Sequence, residues 1–198
     1  MNHKRVCGID YSLTSPAICI YNEKNNGSRL FDFDRCTLYY LAHSERQQQL
    51  SARSGISNII SELYPEWKTA EERQDKLSSW AMSLIEGCSE VFIEGYAFAA
   101  SGVSHVRSIA ENTGLLKHKM WKQGIPFTNI PPTVIKKFAT GKGSANKDLM
   151  YESFLSELLT PPNLHQILTP KSKKIISPIT DIVDSYFICK YGLEGFLA

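Results

Sequence analysis

The feature of this sequence that most restricts its fold is a change of rhythm along the chain. In the first 41 residues three short apolar segments, Arg5 to Asp10, Ala17 to Tyr21 and Arg35 to Leu41, follow one another with only turns between them. Their branched and aromatic side chains suit strands. Ser12 to Pro16 joins the first to the second, and Asn25-Asn26-Gly27 supplies the positive φ of a tight hairpin. These segments predict an antiparallel meander of three strands. From Thr69 onward, short apolar segments recur only between long helical patterns. Thr69 followed by Glu72 forms a capping box, and Leu77, Trp80, Ala81, Leu84 and Ile85 share one helical face until Gly87. Val91 to Glu94 reads as a buried strand. Because a helix precedes it, this strand is expected to join the sheet parallel to the first.

Val106, Ile109, Ala110, Thr113 and Leu116 mark a second helix that closes near Gly124, and Phe127 to Ile130 a further strand stopped by Pro131-Pro132. Pro132 suits the first turn of a short helix. Ser144 is placed to cap a helix running to about Leu159. Thr160 to Ser177, with Pro161, Pro162 and Pro170, reads as loop, and a final helix spans Thr180 to about Tyr191. Glu45 to Pro65 shows no clear period. The expected architecture is α/β: a mixed five-stranded sheet, three antiparallel strands followed by parallel ones, flanked by helices in one domain spanning residues 1–198.

Composition narrows the class without naming a function. With 42% hydrophobic and 21% charged residues, the chain has the balance of a soluble globular protein. No apolar run approaches the ~18 residues of a membrane span, and Asp10 interrupts the N-terminal apolar stretch too early for a signal peptide. A cytoplasmic protein is expected, in the host cytoplasm if the source is viral. Five cysteines, none spaced as CxxC, point to small buried hydrophobes rather than disulfides or a zinc ribbon. The net charge of +2 conceals a segregation. Seven lysines and no acid lie between Asn112 and Lys147, and Lys171, Lys173 and Lys174 lie in a second acid-free stretch. Either these are solvated faces or they form a positive field of the kind a nucleic acid uses.

Against that basic background four acids stand out. Asp10 and Glu94 each end an apolar strand, where a charge is costly unless it is paired or metal-bound. On parallel neighbouring strands, about 4.8 Å apart, both would emerge at one sheet edge. Asp181 and Asp184, spaced i, i+3 at the start of the last helix, share a face. Each taken alone is better read as a strand end or as an acid favoured by the helix dipole. Together they form an all-oxygen set suited to Mg²⁺ or Mn²⁺, with room for two ions about 4 Å apart that could act on a phosphodiester. Asp32 and Asp34 are a rival pair, expected instead on an exposed face beside the hairpin turn.

The segments Gly8-Ile9-Asp10-Tyr11-Ser12-Leu13-Thr14, Phe92-Ile93-Glu94, Thr140-Gly141-Lys142-Gly143-Ser144-Ala145-Asn146-Lys147 and Asp181-Ile182-Val183-Asp184, in that order, resemble RuvC-like Holliday-junction resolvases, and the compact size and divergent Glu45 to Pro65 stretch look like their phage and viral branch. The resemblance implies the ribonuclease H-like fold and a structure-selective endonuclease that resolves branched DNA by paired nicks. It implies that Asp10, Glu94, Asp181 and Asp184 are the catalytic metal ligands for Mg²⁺ or Mn²⁺, two per site. Lys136 and Lys147 would contact scissile-strand phosphates, with Lys137, Lys142 and Ser12 beside them. Tyr96 or Phe98 would insert at the crossover, and no histidine takes a catalytic role. Symmetric cutting implies a homodimer, for which the helix from Ser104 to Gln123 offers an interface.

Gly141 and Gly143 let backbone approach a phosphate next to a helix start, although the Lys-Ser/Thr ending of a Walker A loop is missing. Three alternatives stay open on the sequence: a nuclease of the same fold for RNA·DNA hybrids or general viral debranching, an actin-like or sugar-kinase relative binding a nucleotide through Tyr11 to Thr14, and a junction-binding protein that does not cut.

Overall fold

A computed structural model describes residues 4–22, 31–53, 55–95, 103–158 and 162–195. Its centre is a six-stranded mixed sheet made of β1 (Arg5–Asp10), β2 (Ala17–Asn22), β3 (Cys36–Ala42), β4 (Ile59–Leu63), β5 (Glu90–Glu94) and β6 (Phe127–Ile130). The strand order is β4-β3-β2-β1-β5-β6. β1, β2 and β3 form the expected antiparallel meander, with Ile9 opposite Ile18 and Cys19 opposite Leu38. β5 lies parallel to β1, and β6 parallel to β5. The hairpin turn expected at Asn25-Asn26-Gly27 falls outside the described residues.

The expectation of five strands is corrected to six. β4 comes from the stretch without period, which folds as α1 (Glu45–Arg53) followed by a strand that pairs parallel to β3 at the sheet edge. Of its five residues only Ile59 is buried, and an edge strand half open to solvent leaves no alternating pattern in sequence. The Thr160 to Ser177 stretch likewise contains a short helix, α6 (Leu164–Leu168), capped by Asn163.

The remaining helices are α2 (Ala70–Ile85), α3 (Val103–Lys122), α4 (Pro132–Thr140), α5 (Lys147–Ser156) and α7 (Ile179–Glu194). Thr69 caps α2 by accepting from the Glu72 N–H, and Glu72 reaches back to the Lys68 N–H. Pro132 stands in the first turn of α4, which ends at Gly141 in the left-handed region at φ 76°. The cap of α5 is Asn146, which accepts from the Leu149 N–H, rather than Ser144, because the chain makes one more turn after the glycines before entering the helix.

The sheet separates two cores, and strand alternation decides which side chain enters which. Cys7, Ile9, Ile18 and Ile20 pack with Leu77, Ala81 and Ile85 of α2 and Leu116 and Met120 of α3. Val6, Cys19, Tyr21 and Phe92 face the other way, onto α7 with α4, α5 and α6 around it. α7 is buried on nearly every side, and fully burying a side chain such as Phe187 is worth roughly 1.5–3 kcal/mol. Gly8 is what allows α7 to lie so close to β1: a Cβ there would sit 2.2 Å from the Cys189 nitrogen and 2.5 Å from the Ser185 oxygen. All five cysteines are buried and free.

Candidate metal centre and nucleic-acid interface

Strand period places the first two acids. Asp10 is two residues beyond Gly8, whose missing side chain makes room for α7, and Glu94 is two residues beyond Phe92, which packs in the α7 core. Both carboxylates therefore point to the α7 face of the sheet. Their strands pair in parallel up to Ile9 opposite Ile93, so the two acids come next in register and leave the sheet side by side. α7 runs back over β1 with Cys189 near Val6, and this brings its first turns, with Asp181 and Asp184, over the same edge. Three separate elements thus deliver four half-buried carboxylates to one place.

Their electrostatics show that they feel one another. Burial pushes the Asp10 carboxyl well above its ordinary range, and the charges of Glu94, Asp181 and Asp184 push it further. Glu94 is raised to about 7, first by burial, against the attraction of Lys136. Asp184 is raised to about 8 by burial and by Glu94 and Asp181, with Lys136 and Lys147 pulling the other way. Asp181 is raised by burial too, less opposed to ionising because Ser177 and Ser15 hydrogen-bond it. Even so its Oδ2 is a buried oxygen without a hydrogen-bond partner.

These features fit a hard cation: carboxylate donors alone, mutual repulsion that a positive charge would relieve, and a buried oxygen lacking a donor. Among the described residues no three acidic, histidine or cysteine side chains already stand as a closed metal-holding group, so a cation would have to draw these acids closer.

Lys136 of α4 and Lys147 at the start of α5 join Asp184, Asn146, Tyr151 and Thr180 around a cleft of about 220 Å³. Lys142 lies apart from it, on a separate cleft with Ser144, Asn146, Asp148 and Glu152. Lys137 is exposed, and its carbonyl accepts from Gly141 at the end of α4. Ser12 accepts from the Ser15 N–H, bracing the loop after β1. Tyr96 and Phe98 lie outside the described residues. Asp32 and Asp34 stand at a short 3-10 turn before β3, where Asp32 accepts from the Asp34 N–H, and both are exposed as expected.

Sequence reasoning missed Ser15 and Ser177. Ser15 had a signal in its place five residues after Asp10, whereas nothing local distinguishes Ser177 from the rest of its loop. The aromatic pair Tyr186 and Phe187 of α7 is core: Tyr186 donates to Glu157, and Phe187 is fully buried.

No protein-family model matches the chain. No curated protein matches it by sequence. Solved structures do. The RuvC structure from Thermus thermophilus superposes over 98% of this chain and 96% of its own with a TM-score of 0.55 at 14% identity. The same organism's RuvC in complex with Holliday junction substrate gives 0.59 at 16% identity over the same shares. The fold is that of RuvC. A Fowlpox virus resolvase in complex with Holliday junction DNA aligns over 98% of this chain and 99% of its own, at 16% identity and a TM-score of 0.45. In this RuvC-like, ribonuclease H-like frame the four acids occupy the edge formed by β1, β5 and the N-terminal end of α7.

Proposed function

We propose that this chain is a metal-dependent, structure-selective DNA endonuclease that resolves four-way or otherwise branched DNA by paired nicks. The observation that carries the reading is the convergence of Asp10, Glu94, Asp181 and Asp184 beside a cleft lined by Lys136 and Lys147. The RuvC-like fold supports it, since RuvC has been seen with Holliday junction substrate.

Divalent Mg²⁺ or Mn²⁺, two per site and held by the four carboxylates, would supply Lewis acidity and an activated water for in-line phosphodiester hydrolysis. Asp184 and Glu94, with carboxyls at about 8 and 7, favour protons near neutral pH when no cation is present and would release them on ligating one. Ser15 and Ser177 favour the ionised Asp181 carboxylate, whose Oδ2 has no protein donor. Lys136 and Lys147 bind the phosphate and balance the cluster's negative charge. Lys137, Lys142 and Ser12 extend the DNA contact around the site, and Tyr96 or Phe98 inserts at the crossover.

A homodimer supplies the second cut, formed through the outward face of α3, where Ala110 and Gly114 are exposed and Trp121 is 72% exposed. The protein acts in the cytoplasm, that of the host if its source is viral. Among the described residues no helix is long and apolar enough to cross a membrane.

The decisive experiment is cleavage of a four-way junction with Mg²⁺ by the wild type and by Asp10→Asn. Cleavage lost with junction binding retained supports the reading; cleavage unchanged in the variant, or no cleavage by the wild type, sinks it.

A further inference from the structure

A second cleft adjoins the acid site from another direction. It has a volume of about 380 Å³ and lies between the start of α1 and the 169–177 segment, lined by Arg46, Gln47, Lys171, Ser172 and Ser177 with Ile176 among its apolar residues. Ser177 links it to the centre, because it lines this cleft and stands four residues before Asp181, whose ionised form its hydroxyl favours. The cleft is built from the stretch of sequence that shows no period and from the second acid-free lysine stretch. α1 belongs to the β3–β4 end of the sheet, whereas α4, which carries Lys136, follows β6 at the other end. The two sets of basic residues therefore approach the acids from different sides.

The charge on this cleft is uncommitted. Arg46 and Lys171 are both exposed, and among the described residues neither they nor Lys173 and Lys174 form a salt bridge. Lysines elsewhere do: Lys76 with Glu72, Lys119 with Asp75 and Lys190 with Glu157, each at 2.7 Å. Ser172 accepts from the Lys174 N–H and donates to the Lys174 carbonyl, which closes the 171–174 turn that presents these lysines.

We propose that this cleft is a second nucleic-acid contact, a seat for the sugar-phosphate backbone of one arm of the substrate, with Arg46 and Lys171 as its phosphate ligands. An arginine that has no carboxylate partner and faces a groove is suited to bidentate phosphate recognition. The side-chain amide of Gln47 adds an uncharged donor, and the apolar wall at Ile176 suits a sugar edge. The proposal rests on the nuclease reading above and adds to it a contact surface that sets how the substrate's arm leaves the cutting site.

The test measures binding of a labelled four-way junction to the full chain in the presence of chelator, so that no cutting occurs, as a function of salt. The double variant Arg46→Ala/Lys171→Ala is compared with the wild type and with Lys76→Ala/Lys119→Ala, which removes the same charge from the α2–α3 side. Thermal unfolding confirms that each variant is folded before its binding is compared; Arg46 and Lys171 are exposed. The cleft variant should bind about tenfold more weakly near 0.1 M salt, and the slope of log K against log salt should fall by about 1–2, in keeping with a loss of ~0.9 per phosphate contact. The charge-matched control should stay near wild type.

A cleft variant with wild-type affinity and slope, in a protein whose wild type binds and cuts the junction, overturns this contact and leaves the nuclease reading standing. Equal weakening by cleft and control variants also overturns it, since charge alone would then explain the loss. A wild type that neither binds nor cuts branched DNA overturns both.

Discussion

Two helices in this molecule begin with a pair of acids, and the pairs behave in opposite ways. At the start of α2, Glu71 and Glu72 lie in solvent, and their carboxyls sit below the usual range: the Glu71 carboxyl is lowered first by a backbone hydrogen bond and Glu72 by Lys76. At the start of α7, Asp181 and Asp184 are half-buried against Asp10 and Glu94, and both are pushed up. The local sequence signal is the same, an acid favoured by a helix N-terminus. One pair completes a cap. The other stores repulsion that the backbone alone does not relieve, as expected of carboxylates arranged for a cation rather than for the helix.

The comparison breaks most sharply on activity. On the proposed function, Asp184→Asn should lower junction cleavage by at least about a hundredfold, because a cation held there would supply several kcal/mol of transition-state charge stabilisation. Glu72→Gln should leave it unchanged. Single-turnover cleavage of both variants decides this, and equal activity would erase the distinction between the pairs. A smaller but still large effect is expected from Gly8→Ala. The added Cβ, 2.2 Å from backbone, must push α7 away from β1 and with it the aspartates; about 3 kcal/mol of stability should be lost in chemical denaturation, with cleavage falling in parallel.

The pH dependence of the metal-free protein sharpens the contrast further. Glu94 and Asp184 have folded-state values of about 7 and 8, above the roughly 4 expected when unfolded. Their folded forms hold protons that the unfolded chain releases, so their contribution to stability is fully present below about pH 4 and is lost as pH rises through 7 to 8. With chelator present, unfolding should be easier at pH 8.5 than at pH 5.5. Asp184→Asn should recover on the order of 1–3 kcal/mol at the higher pH, and added Mg²⁺ should raise the wild-type melting temperature most there. A metal-free protein that grows more stable between pH 5.5 and 8.5 would contradict the raised values. The lowered values of Glu71 and Glu72 have the opposite sign: whatever they contribute is present above about pH 4 and lost as pH falls. Smallest of all, Thr69→Ala removes the α2 cap and should cost about 1 kcal/mol, measured by denaturation, with no change in cleavage.

Much of the frame was legible in sequence because it is built from local patterns. The meander of β1 to β3, the cap at Thr69 and the strands ending on Asp10 and Glu94 follow from alternation, turn residues and periodicity. β4 and α1 were illegible for a physical reason, since an edge strand with one buried side chain has no core-facing period to read. Asn146 replaced Ser144 as the α5 cap because the exit of the glycine loop depends on how the loop itself packs, with Gly143 lying close to Thr133.

By itself the sequence determined that four acids would stand at strand ends and in the first two turns of a helix, and that lysines would be segregated from them, because those are properties of neighbours along the chain. Only the tertiary structure decided that Asp181 and Asp184 belong with Asp10 and Glu94 while Glu71 and Glu72 do not. That choice depends on α7 crossing β1 at Gly8, on Ser15 and Ser177 reaching Asp181, and on Lys136 and Lys147 closing the same cleft. The energies that separate a cap from a cluster of raised carboxyls are burial and charge at a distance, and neither exists until the layers have packed.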